Sequence, residues 1–431
     1  MALRSLFFLC LLVIGAGCSS YSVVSGRAFG GGRFAEIQAG LAVLRGLDFK
    51  GEVPVEVQGK EEIRRYFASS LEQEYGDEKL RNMALAYAKL GLYPEALDLK
   101  KSLLDFYTVQ VAAFYDARAK KLVLPEDLAA GILSGAEEPA ALGTMMGDMV
   151  LAHELTHALQ DQHFSLEDRL RPSSEDDRTL AFHAVAEGDA TVAGFAYLFR
   201  GADDKFLELI NQTVQDSIRV ARSTLTDTPE AVVEELLFQY YGGVSLVSRA
   251  LRDQGWSGVN LLYSIPPLST EQILHPEKFF ELPDPPTRVG LKDLSGLFRP
   301  DWREIENNVL GELMVQVLFR RFVAEAEAQR IAEGWDGDRF VAFQREQETA
   351  FVWATVWDSL RDAQEFLRGY SEILGKKYAG SGPRAAYAYA EQRDRRVMVV
   401  EGLEKSYIRE RIEKIWQEME LEEEPLPGGR P

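Results

Sequence analysis

The octapeptide Val150-Leu151-Ala152-His153-Glu154-Leu155-Thr156-His157 lies within Pro139 to Gln162. That run reads as one long helix, apolar on several sides and therefore buried. Ionisable side chains inside a buried helix are costly unless something compensates them. The pattern H-E-x-x-H suggests what does. Residues four apart on a helix stack on one face, so His153 and His157 can aim ring nitrogens at one metal ion. Glu154 projects beside them, placed to act on a water held by that metal. His is scarce elsewhere. Of five in the chain, four (His153, His157, His163 and His183) fall between positions 153 and 183.

On these residues the chain resembles the zincin superfamily of zinc metallopeptidases, over about residues 109–200. The resemblance implies a catalytic zinc with three protein ligands and one open position. Glu187, in Phe182-His183-Ala184-Val185-Ala186-Glu187-Gly188-Asp189-Ala190-Thr191, is the leading third ligand. Its helix follows one loop and can fold back antiparallel to the first, as in the gluzincin branch. Its mostly small neighbours allow close helix packing. Gluzincins often carry an Asp four residues after the ligand Glu, bonded to a ligand His. Here that position is Thr191, which leaves Asp161, Asp189 and Thr191 as candidate partners. His163 stands at the metzincin spacing, six residues after His157. The turning Gly of that branch is replaced by Gln160, a good helix former, and no Met-turn follows: Met314 reads as helical and Met398 as strand. His183, on the helix face of Glu187, is a further alternative.

A His₂Glu zinc site implies peptide hydrolysis, with Glu154 taking a proton from water and passing it to the leaving amine. His275, in Ser269-Thr270-Glu271-Gln272-Ile273-Leu274-His275-Pro276, is the candidate oxyanion donor, with Tyr263 and Tyr115 as alternatives. The resemblance also implies that Val109 to Leu124 supplies a sheet edge on which substrate backbone adds as a strand.

The N-terminus reads as an address. Met1 to Arg4 is basic, Leu6 to Ile14 is apolar, and small residues lead to Cys18, the layout of a secretory signal. The apolar run is too short to span a bilayer. Gly15-Ala16-Gly17-Cys18 resembles a bacterial lipobox, which implies that Cys18 is diacylated and becomes the mature N-terminus. Gly15 departs from the usual branched residue. Two acyl chains suffice for anchoring, so a bacterial cell envelope location is expected, at the outer membrane or cell surface. The other cysteine, Cys10, belongs to the leader, which leaves no internal disulfide.

Composition narrows the partners. Against 48 Lys+Arg stand 68 Asp+Glu, a net charge of −20. Nucleic acid and anionic lipid surfaces need clustered basic residues, so neither is expected as a main partner. A peptide or protein substrate, including a cationic one, is compatible. The membrane is met through the N-terminal lipid. With 46% hydrophobic and 27% charged residues, the chain is not largely disordered.

The expected fold is α+β and mainly helical. A signal at 1–17 and a tether at 18–35 precede a zincin-like core at 36–225, with a small sheet, the active-site helix and the Glu helix. A helical and Pro-rich irregular region follows at 226–305, then a C-terminal α+β region at 306–420 with the order ββαββα, and a disordered acidic tail at 421–431. Within these, Pro94 to Phe106, Asn308 to Glu333 and Glu404 to Glu420 read as helices, and Gly334 to Asp338 as a tight turn. Two further functional readings stand beside the peptidase: a non-catalytic envelope lipoprotein that keeps the scaffold for binding, and an assembly factor working through its C-terminal layer. Intact Glu154 favours the enzyme.

Overall fold

The computed structural model describes residues 6–10, 31–129, 140–170, 175–379 and 387–425. Cys18, the expected lipid anchor, lies outside them, as do most of the tether and the last residues of the tail.

The N-terminal part comprises β1 (Leu6–Cys10), α1 (Gly31–Arg45), β2 (Val55–Gln58), α2 (Lys60–Glu74), α3 (Gly76–Leu90) and α4 (Leu99–Gln110). A hairpin follows, over the segment expected to supply a sheet edge, as β3 (Val111–Asp116) and β4 (Lys121–Pro125). Its turn is made by Asp116, whose Oδ1 accepts the backbone N–H groups of Arg118 and Ala119 at 2.9 Å each. The sheet order is β1-β3-β4-β2, antiparallel except for the parallel β4–β2 pair.

Four long helices follow, α5 (Ala140–Phe164), α6 (Asp176–Phe199), α7 (Asp204–Thr224) and α8 (Glu230–Ser264), of which α5 packs on this sheet. Most of α6 is buried, because it runs between α5 and α8. Glycines make that possible. A Cβ on Gly188 would stand 2.2 Å from the backbone of Gly243, and one on Gly243 would stand 2.0 Å from the carbonyl of Ala184. The α6 and α8 backbones therefore touch.

The C-terminal part contains β5 (Thr287–Leu291), β6 (Arg303–Asn308), α9 (Gly311–Arg320), α10 (Glu325–Ala332), β7 (Trp335–Arg345), β8 (Glu348–Trp357), α11 (Leu360–Lys377), β9 (Ala388–Arg393), β10 (Arg396–Glu401), α12 (Lys405–Arg409), α13 (Ile412–Glu418) and β11 (Met419–Glu423). Five strands form an antiparallel sheet ordered β6-β7-β8-β10-β9. The two-residue period of a strand splits its side chains between two cores. Phe340, Phe351, Trp353 and Trp357 face the main core, whereas Val341, Val352, Ala354 and Val356 face a smaller one with Phe298 and Trp416.

The chain is thus α+β and mainly helical, as expected, and the ββαββα order is present with β6 added at one edge. Several local readings are corrected. Helix α1 begins at Gly31, inside the expected tether, and Leu6–Cys10 of the expected signal pairs along β3. Helix α4 starts at Leu99, where Asp98 accepts the N–H of Lys101 at 3.0 Å, not at Pro94. The helix expected over Asn308 to Glu333 starts only at Gly311 and is interrupted between Arg320 and Glu325, giving α9 and α10. Gly311 has φ +77°, which a helix interior excludes, and the buried Asp338 carboxylate accepts the N–H groups of Leu310 and Gly311. Asp338 also accepts both indole N–H groups of Trp335 and Trp353, so Gly334 to Asp338 leads into a strand rather than closing a turn. The helix expected from Glu404 is two short ones followed by β11, which pairs with β5. The acidic tail is held as far as Glu424, which pairs with Arg178 and Arg288.

The two halves are locked at Asp177, in the first turn of α6. Its carboxyl accepts the N–H of Thr270 at 3.2 Å and is also bonded to the Thr270 hydroxyl, which itself accepts the N–H of Leu313 in α9 at 3.2 Å. Burial pushes the Asp177 carboxyl up to about 8. The unfolded chain releases this proton near pH 3.8, the folded chain only near 8. Between those values the folded state binds more protons, so this group's contribution makes stability fall as pH rises.

Two outcomes follow for the fold. Gly188→Ala should cost roughly 1–3 kcal/mol or more in urea unfolding, because backbone cannot retreat as a side chain can. Asp177→Asn should be near neutral at about pH 4 and stabilise the protein by roughly 1–3 kcal/mol at about pH 9. Equal destabilisation at both pH values would contradict a protonated carboxyl.

Candidate metal centre

Helix α5 carries its H-E-x-x-H residues where α6 crosses it. Gly194 of α6 lies against the backbone of Met149 and His153, and the antiparallel run brings Glu187 level with the two imidazoles. His153 Nε2 and His157 Nε2 are 3.0 Å apart, and Glu187 Oε2 lies 3.2 and 3.6 Å from them. All three side chains are buried.

Three acceptor-capable atoms facing one another in the interior call for a shared cation. Ligands of a tetrahedral zinc with bonds of about 2.0–2.1 Å stand about 3.3 Å from each other. The three separations bracket that value. Glu187 Oε2 is a buried atom with no hydrogen-bond partner among the described residues. Two imidazoles and one carboxylate also suit zinc in donor type. The residues present fit the ion.

The protonation pattern has definable causes. Burial lowers the pKa of His153. Burial also acts against a charged His157, but Glu187 outweighs it and the net shift is upward. Burial alone would raise Glu187, yet the two imidazoles bring its carboxyl down to about 2. Glu187 is therefore anionic, as a ligand must be.

The orientation of His157 is set through Gln160, three residues on. The Gln160 amide nitrogen donates to the Ala186 carbonyl at 3.0 Å and to Asp189 Oδ2 at 3.1 Å. Both donors being engaged, its oxygen faces His157 Nδ1 at 2.9 Å. Nδ1 must then carry the proton, which leaves Nε2 free to ligate. Asp189 Oδ2 also accepts from buried Arg45 at 2.9 Å and from the Tyr263 hydroxyl at 2.8 Å. Of the three candidate partners, Asp189 thus serves, but through Gln160. Asp161 is instead bonded to the Tyr115 hydroxyl at 2.9 Å and to Lys120 at 2.8 Å. The Thr191 hydroxyl is buried and bonds to no ligand His.

Glu154, next to His153 in α5, reaches the hairpin. Its Oε2 accepts the N–H of Tyr115 in β3 at 2.7 Å, and it is fully buried. The H-E-x-x-H helix and the β3 backbone are thereby tied at the carboxylate.

The remaining candidates are placed elsewhere. Helix α5 runs unbroken through Gln160, so His163 is turned away from the cluster, and its Nε2 lies 2.8 Å from the Asp48 carbonyl. His183 is buried one turn before Glu187 and lines a neighbouring cleft. His275 is bonded to Glu312 of α9 at 3.0 Å. Tyr263 stacks on Phe164, with ring centroids 4.1 Å apart, and supports Asp189. A second acidic group, Glu271 with Asp284 and Asp358, surrounds the ammonium of Lys278, which occupies the place a metal ion would take.

Gln160 was legible in principle, being on the His157 face at a three-residue interval. Arg45 carries no such signal, because it comes from a helix more than a hundred residues upstream.

Over residues 299–411, the chain matches a family model described as a domain of unknown function (DUF8575). That match covers the five-stranded sheet and its helices, not the metal cluster. No curated protein and no solved structure matches the chain.

Zinc titration of chelator-stripped protein tests the ligand set. Glu187→Ala and His153→Ala should abolish stoichiometric uptake, whereas His163→Ala should leave it intact. Gln160→Ala should weaken affinity by roughly 10–100-fold.

Proposed function

We propose that this chain is a zinc-dependent metallopeptidase of the bacterial cell envelope, tethered through a lipid on Cys18. The observation that carries the reading is the joint placement of His153, His157 and Glu187 within 3.6 Å of one another, with Glu154 beside them on the same helix. His153, His157 and Glu187 would hold the ion. Zinc bound there supplies an acidified water and polarises the scissile carbonyl. Glu154 receives the proton of the water and delivers it to the leaving amine. The Tyr115 N–H holds the Glu154 carboxylate in place for that transfer.

The β3 edge supports the same reading. Here it is covered by β1, with Leu6 opposite Asp116, Phe7 opposite Tyr115 and Phe8 opposite Phe114. An extended chain thus lies antiparallel across the strand that contacts Glu154. Removal of a leader ending at Gly17 would open that edge to a peptide adding in the same way.

The near-complete burial of His153, Glu154, His157 and Glu187 favours a second reading, a non-catalytic envelope lipoprotein that keeps the scaffold for binding or assembly. Peptide cleavage decides between them. On a fluorogenic peptide library, mature zinc-loaded protein should cleave, and Glu154→Gln should lower turnover by roughly 10²–10⁴-fold while zinc content and melting temperature hold. Stoichiometric zinc without Glu154-dependent cleavage would establish the second reading.

A further inference from the structure

We propose that the cleft between α3, α6, α8 and α9 is a specificity pocket for a lysine side chain of the peptide; this rests on the peptidase reading. One wall is the stripe Asp176, Leu180 and His183 of α6. These residues recur at three- and four-residue intervals, and the next position on that face is Glu187. His183 is therefore about 6 Å along the helix axis from the carboxylate of the metal cluster. The cleft lining ends at His183, one turn from Glu187 on the same helix face.

Its chemistry selects a cation on a slim stem. Asp176 and Glu235 supply carboxylates from facing helices, and no Lys or Arg lines the cleft among the described residues. Asn308 donates to Asp176 Oδ2 and holds that carboxylate in place. Between the acids the walls are apolar or aromatic, with Leu92, Tyr93, Leu180 and Met314 able to cover a methylene chain.

A second observation points to a bound peptide. Gln239 is 3% exposed, lines the cleft, and has an amide nitrogen with no acceptor among the described residues. A buried unpaired donor is costly, and a peptide carbonyl would satisfy it. The free space is about 40 Å³. That accommodates roughly two or three waters or one unbranched chain, which favours lysine over the broad guanidinium of arginine. The net charge of −20 draws cationic peptides toward the protein.

The test uses zinc-loaded mature Glu154→Gln protein, without the leader, and fluorescent dodecapeptides in which a single lysine, or its uncharged counterpart norleucine, is walked along a neutral sequence. At one position lysine should bind about tenfold tighter than norleucine, the size of one charge-assisted contact. Adding Glu235→Gln should erase the difference, and adding Gln239→Leu should weaken both peptides alike. Unchanged urea midpoints would show that these variants fold. Equal affinity at every position, or a lysine preference that survives Glu235→Gln, overturns the pocket; tighter binding of arginine overturns its size argument. The two readings fail separately. Lysine-selective binding without any cleavage by the unmutated protein removes the peptidase and keeps the pocket. Glu154-dependent cleavage indifferent to lysine does the reverse.

Discussion

The structure depends on keeping one carboxylate and two imidazoles together inside the protein. Glu187 is drawn down to about 2 by the rings of His153 and His157, although burial alone would push it up. Such a group is tolerated only where its partners are held rigidly. The rigidity comes from helix α6, pressed between α5 and α8. The Gly188–Gly243 contact lets α6 approach α8 with no side chain between them, whereas Gly194 faces α5 at ordinary contact distance.

Around that cluster the polar groups form a chain with a direction. His157 is oriented by Gln160, Gln160 by Asp189, and Asp189 by Arg45 and Tyr263. Arg45 stacks over Trp256 at 4.5 Å and also donates to Asn260. Elements α1, α5, α6 and α8 therefore meet at one buried carboxylate, and the position of a ring nitrogen is tied to residues at both ends of the helical half. Asp177 plays the corresponding part between the halves through Thr270, and Asp338 gathers four N–H groups within the C-terminal half that would otherwise be buried unpaired.

Most helices were legible because their signals are local. The α5 apolar run, the Gly91 stop of α3 and the Ser359 cap of α11 each act within a turn or two of chain. Where the reading failed, a distant group had intervened. Gly311 leaves the helical region because Asp338, on a later strand, collects its N–H. Met419–Glu423 is a strand because β5 offers it an edge, and its acidic composition reflects exposure rather than disorder.

The candidate site divides along the same line. The sequence alone determined His153, Glu154 and His157, since a four-residue interval on a helix places two rings together whatever surrounds it. It also named Glu187, through a resemblance that required the next helix to fold back. Only the tertiary structure decided that Glu187 rather than His163 or His183 completes the cluster, because that choice depends on how α5 and α6 cross. It likewise decided that Thr191 bonds to no ligand His and that Asp189 acts through Gln160. Those contacts join residues far apart in the chain, and no periodicity within one helix can encode where another helix will lie.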